Sequence, residues 1–289
     1  MAEWGPGLAV LLGLVEGLTE YLPISSTGHL ILVGHWLGFT GEVATSVEIS
    51  IQLGSILAVV AYERSKLSAL LSHGAAEFTA VRALMQDPRP WRLRLSHSIG
   101  AHRNLWFFIG LGGAFLPAAC IGLLAHKWIE AHLFNPVTVA AALIVGGLII
   151  LVVEAMQGRV RIIGLERVGL SSAIWVGLAQ CASLIPGVSR SGATIVGGLL
   201  AGMDRRTATE YSFFLALPTM IAATGYKLLK SRDLLTSADL LALALGLLVA
   251  FFVAWAVIAA FLAFVKRHSL RTFAYYRILL GITVLLVFR

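Results

Sequence analysis

Long apolar runs alternate along this chain with shorter apolar runs that polar residues cut off. Residues 105–125, 134–153 and 240–265 contain no charged side chain. Each meets the roughly 20 residues that a helix needs to cross a ~30 Å hydrocarbon layer, so each predicts a membrane span. A further span is predicted over about 43–62. Two regions break the pattern. Residues 8–21 are apolar but short, and Pro23 followed by Ser-Ser-Thr-Gly at 25–28 should end their helix early. Residues 170–185 stop at Pro186-Gly187 in the same way and run into VSRSGAT at 188–194. A second apolar piece follows each break, at 30–39 and 195–202. The pattern predicts two hairpins of half-helix, loop and half-helix that enter the bilayer without crossing it. Such backbone is tolerated at depth only where protein buries it or a wet cavity receives it.

The two broken regions resemble each other. At a spacing of 164 residues Gly13 pairs with Gly177, Leu14 with Leu178, Glu16 with Gln180, Ser25 with Ser189, Thr27 with Ser191 and Gly28 with Gly192. At a spacing of 162, Glu48, Ser50, Leu53 and Ala61 pair with Glu210, Ser212, Leu215 and Ala223. Together these matches suggest an internal duplication. Three predicted spans lie between the hairpins, and an odd number inverts the second copy. The predicted architecture is an all-α polytopic membrane protein: one transmembrane domain over 1–289, with repeat 1 at about 5–156, including a loop at 63–104, and repeat 2 at about 170–289. Inverted repeats with broken helices place their site where the hairpin tips meet.

Charge orients this arrangement. The loop 63–104 carries Arg64, Lys66, Arg82, Arg89, Arg92, Arg94 and Arg103 against Glu63, Glu77 and Asp87. Basic residues recur at Arg159, Arg161 and Arg167, and at Lys266, Arg267 and Arg271. The positive-inside rule places these segments in the cytoplasm and both termini outside. Lys227, Lys230 and Arg232 then fall on the outer side against the rule, partly balanced by Asp233 and Asp239. Trp4, Trp106 and Trp128, near predicted ends, read as interface anchors.

Composition agrees. The chain is 58% hydrophobic and 13% charged, with a mean hydropathy of +0.87, which excludes an ordinary soluble domain. The net charge of +7 would suggest a nucleic-acid partner in a soluble protein; here it marks topology, and membrane lipids are the expected surroundings. The N-terminus lacks the basic n-region of a removable signal peptide. Cys120 and Cys181 lack CxxC spacing and read as small buried hydrophobes.

The hairpin tips carry the candidate chemistry. Glu16 and Glu20 are four residues apart and share a helix face. Carboxylates are expensive in hydrocarbon, so the pair reads as a site for a divalent cation, Mg²⁺ or Ca²⁺, or as groups divided for acid–base work. Ser25, Ser26, Thr27 and Gly28 supply hydroxyls and loop amides suited to a phosphate cradle. His29 directly follows and could move a proton near neutral pH; His35 reads as structural. Arg190, flanked by Ser189, Ser191 and Gly192 with Thr194 close by, offers a planar fork suited to phosphate oxygens. Glu48 and Gln52 share a face on the next segment and are candidates for lining the same cavity. Glu210 reads equally well as a salt-bridge partner of the nearby Arg205 and Arg206. One cationic fork, hydroxyls, two carboxylates and a histidine are what cleavage of a phosphoanhydride on a membrane-embedded substrate requires. A secondary transporter or lipid flippase is the alternative, because inverted repeats and buried carboxylates serve transport too.

EGLTEYLPISSTGHL, EISIQLGSILAVV and PGVSRSGATI resemble the signature segments of the bacitracin-resistance family of bacterial undecaprenyl-diphosphate phosphatases, over essentially the whole chain. The resemblance implies hydrolysis of undecaprenyl diphosphate to the monophosphate and inorganic phosphate, recycling the carrier for cell-wall synthesis. It also implies dependence on a divalent cation and an inner-membrane site that opens to the periplasmic side. The family's acidic motif falls on Glu16 and Glu20, its histidine on His29, its candidate nucleophile or phosphate-binding serine on Ser26 and its arginine on Arg190. Tyr21 stands where the family usually has Phe. A second class of lipid phosphatases uses a histidine after its Ser-Arg pair; here none follows Arg190 until His268. Whether Ser26 or water attacks stays open at this point, as does assembly into a homo-oligomer.

Overall fold

The computed structural model describes residues 5–39, 41–84, 88, 90–156, 158, 160–231 and 240–288. Trp4, Asp87, Arg89, Arg159, Arg232, Asp233 and Asp239 lie outside them. The helices run in order α1 (Pro6–Thr19), α2 (Ser26–Leu37), α3 (Glu42–Tyr62), α4 (Arg64–Leu84), α5 (Trp91–Ala101), α6 (Arg103–Leu133), α7 (Pro136–Met156), α8 (Leu170–Gln180), α9 (Arg190–Leu200), α10 (Arg205–Ser231), α11 (Leu240–Val265) and α12 (Arg271–Val287). Among the described residues no strand forms; Ile162 and Met203 make one isolated bridge.

Arg103–Ala125, Pro136–Met156 and Leu240–Val265 are long and apolar enough to cross a membrane, in agreement with the three charge-free runs. The fourth expected span, at about 43–62, falls on α3, which is 21 residues long; Glu48, Ser50, Gln52 and Ser55 place polar side chains within its apolar part, Val47–Tyr62. Residues 63–104, expected as a loop, are mostly the helices α4 and α5. The Glu77 carboxylate ties α4 to the start of α6, accepting from the Asn104 side chain at 2.6 Å and the Leu105 amide at 2.7 Å. The charge in this stretch obscured its helical spacing.

The interior inverts the soluble pattern. Leu124, Leu148 and Leu279 face outward, while Glu16, Gln180, Ser191, Thr194, Ser212 and Arg277 are buried. Small residues let the helices approach closely, as they do where lipid offers no hydrophobic drive between helices. On α11, Ala242, Gly246, Ala250 and Ala254 form one buried column. Gly13 of α1 lies against Gly246, and Gly54 of α3 against Leu247. Gly177 of α8 lies in the same manner against Ala114 of α6. α7 and α12 pair reciprocally, Gly147 against the Ala274 carbonyl and Gly281 against that of Ala140.

α3 and α7, each 21 residues and so about 30 Å long, separate two ends of the molecule. At one end their C-termini meet ion pairs. Lys66 holds Glu63 and Glu210, each at 3.1 Å, and Arg206 holds Glu210 at 2.9 Å. Burial opposes the charge on Lys66, but Glu210 and Glu63 outweigh it and hold the ammonium above the usual lysine range. Glu154, buried on α7, accepts from Arg205 Nε at 2.8 Å and from the Leu270 amide at 2.9 Å. Glu210 is thus engaged in salt bridges. The α2–α3 and α6–α7 turns lie at the other end.

Candidate active site

Two interrupted helices build the site. α1 stops at Thr19, and α2 begins only after Ser25, whose φ of 72° places a side-chain-bearing residue in the left-handed region. Ser189 does the same before α9, with φ 74°. Among the described residues these are the non-glycine residues of positive φ. Strain of this kind costs on the order of 1–3 kcal/mol and persists where its surroundings impose it. Each serine offsets part of that cost as an N-cap: Ser25 Oγ accepts from the Gly28 amide at 3.2 Å, and Ser189 Oγ from the Gly192 amide at 3.0 Å. The loops then grip each other. Ser191 Oγ donates to the Leu22 carbonyl at 2.8 Å, so the 3.0 Å contact between Ser189 and Ser191 is donated by Ser189.

Glu20 stands between the hairpins. Its Oε1 accepts from Arg190 Nη2 at 2.9 Å, and its Oε2 accepts from Ser26 Oγ in a short hydrogen bond. Arg190 is steered by neighbours on every side. Its Nη1 donates to the Ser212 carbonyl at 3.1 Å, its Nη2 lies 3.3 Å from Met220 Sδ, and its guanidinium sits 5.7 Å from the Tyr21 ring centroid. Thr194 donates to the Arg190 carbonyl at 2.8 Å, leaving Ser212 Oγ as donor to Thr194 at 2.7 Å. Arg190 Nε is buried with no hydrogen-bond partner among the described residues. A guanidinium fork with one donor unused is prepared for a further acceptor.

A cavity of about 360 Å³ opens beside this chain of contacts. Glu16, Ser26, Thr27, Glu48, Gln52 and Lys227 are among the residues that line it, and Gly41, Phe134 and Pro136 place its mouth at the α2–α3 and α6–α7 turns. Glu16 is 1% exposed, and its Oε1 has no hydrogen-bond partner among the described residues. The charges that act on it are Glu20, Glu48 and Arg190. Gln52 accepts from Thr224 at 3.1 Å. A larger cavity of about 470 Å³ lies at the opposite end among Glu154, Asp204, Arg205 and Arg206. There Arg205 and Arg206 are held by carboxylates and no serine or threonine is among the described lining residues, so the candidate chemistry belongs to the smaller one.

Among the described residues no cluster of three or more His, Cys, Asp or Glu side chains is placed to hold a metal. The donor set nevertheless fits Mg²⁺, which is commonly bound by one or two carboxylates with substrate phosphate oxygens completing its shell. The orphaned Glu16 oxygen is the fitting donor, because both Glu20 oxygens are occupied.

His29 is placed differently from the other candidates. Its Nδ1 lies 2.7 Å from the Ser25 carbonyl, and its Nε2 lies 2.7 Å from the Tyr276 hydroxyl. A carbonyl only accepts, so Nδ1 carries the proton and a neutral ring accepts from Tyr276. His29 therefore faces α12, not Glu20 and Arg190. His35 packs edge-on against Phe288.

Sequence reasoning missed Arg277. It is 1% exposed and donates to the carbonyls of Pro23 at 3.1 Å, Gly187 at 3.0 Å and Ala142 at 3.2 Å. Pro23 and Gly187 are themselves 164 residues apart, so one guanidinium ties equivalent points of both hairpin loops to α7. The overlooked signal was a lone arginine within the apolar run 273–287. Tyr276 and Ser212 carried no such signal.

The family model described as bacitracin resistance protein BacA matches residues 9–283. An undecaprenyl-diphosphatase of Caldanaerobacter subterraneus subsp. tengcongensis is 48% identical over 278 residues, covering 96% of this chain and 94% of that protein. One from Ectopseudomonas mendocina is 47% identical over 285 residues, covering 99% and 95%. One from Sorangium cellulosum is 49% identical over 286 residues, covering 96% and 84%.

Proposed function

The chain belongs to the bacitracin resistance protein BacA family, and on that premise we propose that it is an integral-membrane phosphatase. Its substrate is undecaprenyl diphosphate, which it converts to undecaprenyl phosphate and inorganic phosphate. The observation that carries this reading is the continuous Arg190–Glu20–Ser26 chain of contacts, which reaches the wall of a cavity at Ser26. Those three groups supply a cation for phosphate charge, a proton acceptor and a hydroxyl nucleophile in one place.

In this reading Arg190 turns its unused donor to the terminal phosphoryl group and stabilises the charge that develops there. Ser26 Oγ attacks the terminal phosphorus as its proton passes to Glu20. The bond from that phosphorus to the bridging oxygen breaks, and undecaprenyl phosphate leaves as an anion that needs no proton. Water then hydrolyses the phosphoserine, releasing inorganic phosphate. Glu16 would hold a divalent cation, which when bound supplies positive charge against the phosphate oxygens. Glu20, expected from the sequence as its second ligand, is engaged instead by Arg190 and Ser26. Ser25, Thr27, Gly28, Ser189, Ser191, Gly192 and Thr194 shape the two loops around the phosphates, and Glu48 and Gln52 line the way in. His29, engaged by Ser25 and Tyr276, braces the loop that presents Ser26.

The proposal extends to topology. The two hairpins are re-entrant and belong to inverted repeats within one domain. Matched strain and capping at Ser25 and Ser189 support this, as does the close approach of Gly13 to α11 and Gly177 to α6. The protein resides in the bacterial inner membrane with its cavity opening to the periplasm. Support comes from Lys66, Arg205, Arg206 and Lys266, which gather at the end opposite the cavity mouth, as expected of a cytoplasmic face.

The test is phosphate release from a polyprenyl diphosphate by the detergent-purified protein, with and without a chelator. Release that the chelator stops is expected; no release by folded protein would remove the phosphatase reading. Denaturation during turnover should trap phosphate on Ser26. Full turnover by Ser26→Ala with no trapped phosphate would assign the attack to water.

A further inference from the structure

Lys227 was expected on an outer loop, where a positive residue contradicts the charge rule that orients the rest of the chain. It lies instead on α10 and lines the same cavity as Glu16, Ser26 and Glu48. Among the described residues it is the one lysine or arginine in this lining, which also includes His35. The cavity thus holds the Lys227 ammonium together with the carboxylates of Glu48 and Glu16. Three carboxylates, Glu20, Glu16 and Glu48, stand between two cations, Arg190 and Lys227. Arg190 holds the inner end and Lys227 the outer.

A diphosphate has two phosphate groups, and one guanidinium already engaged by Glu20 and Ser212 does not match the charge of both. From the position of Lys227 we infer that it forms a second anion subsite in the cavity, taking inorganic phosphate as that product leaves, and drawing the incoming diphosphate from the mouth towards Arg190. This rests on the phosphatase reading above. An ammonium on a flexible stem suits the task, because it offers point charge without the fixed geometry of a guanidinium. The facing groups explain why the hold is transient. Glu48, which lines the same cavity, competes with phosphate for the ammonium and so favours phosphate release. The departure from the charge rule is then the trace of a ligand site, not of topology.

The experiment compares the full-length wild type with Lys227→Met, Lys227→Arg and the pair Lys227→Met/Glu48→Gln in detergent. Turnover of polyprenyl diphosphate is measured, with inhibition by inorganic phosphate. Direct phosphate binding by isothermal titration gives a result whether or not turnover is detected. Lys227→Met should weaken phosphate binding and inhibition about tenfold, equivalent to about 1.4 kcal/mol, and raise KM more than it lowers kcat. Lys227→Arg should restore most of both. Unchanged phosphate binding in a folded Lys227→Met protein would overturn the subsite. Recovery of normal phosphate binding in the double variant would also overturn it, by showing that Lys227 serves only to neutralise Glu48. A wild type that binds phosphate through Lys227 yet releases none from the diphosphate would leave the subsite standing and remove the phosphatase reading. If Lys227→Met fails to fold, Lys227→Gln and Lys227→Arg carry the same comparison.

Discussion

The hairpin around Ser25 and the hairpin around Ser189 use one backbone device to present different chemistry. Both break an apolar helix, hold a serine at positive φ and cap the next half-helix with its hydroxyl. At equivalent positions, however, the first carries Glu16, Glu20, Ser26 and His29, and the second carries Gln180, Leu184, Arg190 and Ala193. The first hairpin is anionic and nucleophilic; the second is cationic. Their charges meet as the Glu20–Arg190 pair at 2.9 Å. Two loops built alike can meet tip to tip in a buried site, but two identical acidic loops would repel each other there. Divergence of the side chains makes the meeting of the tips favourable and creates a site that neither hairpin holds alone.

That division can be broken most severely at its cationic half. Arg190→Ala should lower phosphate release by on the order of 10²–10³-fold or more, with Arg190→Lys recovering little because the ammonium cannot satisfy Glu20, Ser212 and a phosphate together. Turnover assays on monodisperse protein check this, and substantial activity in Arg190→Ala would count against the central assignment. Next in size is the clamp common to both hairpins. Arg277→Met leaves the buried loop carbonyls of Pro23 and Gly187 without their donor, and should cost about 3 kcal/mol or more of stability. Thermal unfolding in detergent measures it; a wild-type midpoint would mean that Arg277 does not secure the loops.

The exchange of Glu for Gln between the hairpins sharpens the comparison further. Glu16→Gln removes the carboxylate with a free oxygen, so the cation concentration needed for half-maximal activity should rise about tenfold, or about 1.4 kcal/mol. Gln180→Leu should leave that concentration where it was. Equal responses of the two variants would argue that Glu16 has no special relation to a cation. The smallest effect tests what the hairpins share. Ser25→Ala and Ser189→Ala each lose a cap and keep the strained φ, so each should destabilise by about 1 kcal/mol. Closely similar losses are expected, and a large inequality would contradict an equivalent role for the two caps.

Much of this was legible in the chain. The three charge-free spans, the two breaks, the spacing of 164 and the candidate set Glu16, Glu20, Ser26 and Arg190 follow from periodicity, from proline and from the cost of charge in an apolar run. The helices α4 and α5 were not legible, because their charges invited a topological reading before a structural one. The orientation of His29 was also hidden. A histidine after Ser-Ser-Thr-Gly looks poised for proton transfer, and only the arrival of Tyr276 from α12 shows where its second nitrogen is spent.

The sequence by itself determined that this chain lives in lipid, where its helices break and which polar residues stand at the breaks. These are local matters, decided within one or two helical turns by hydropathy, glycine, proline and capping. Tertiary structure alone decided that Glu20 meets an arginine 170 residues away, that Arg277 binds both loops at once, and that Lys227 faces the cavity. Those contacts depend on the rotation of each helix about its axis. Close packing against α7, α10, α11 and α12 sets that rotation, and no local pattern encodes it.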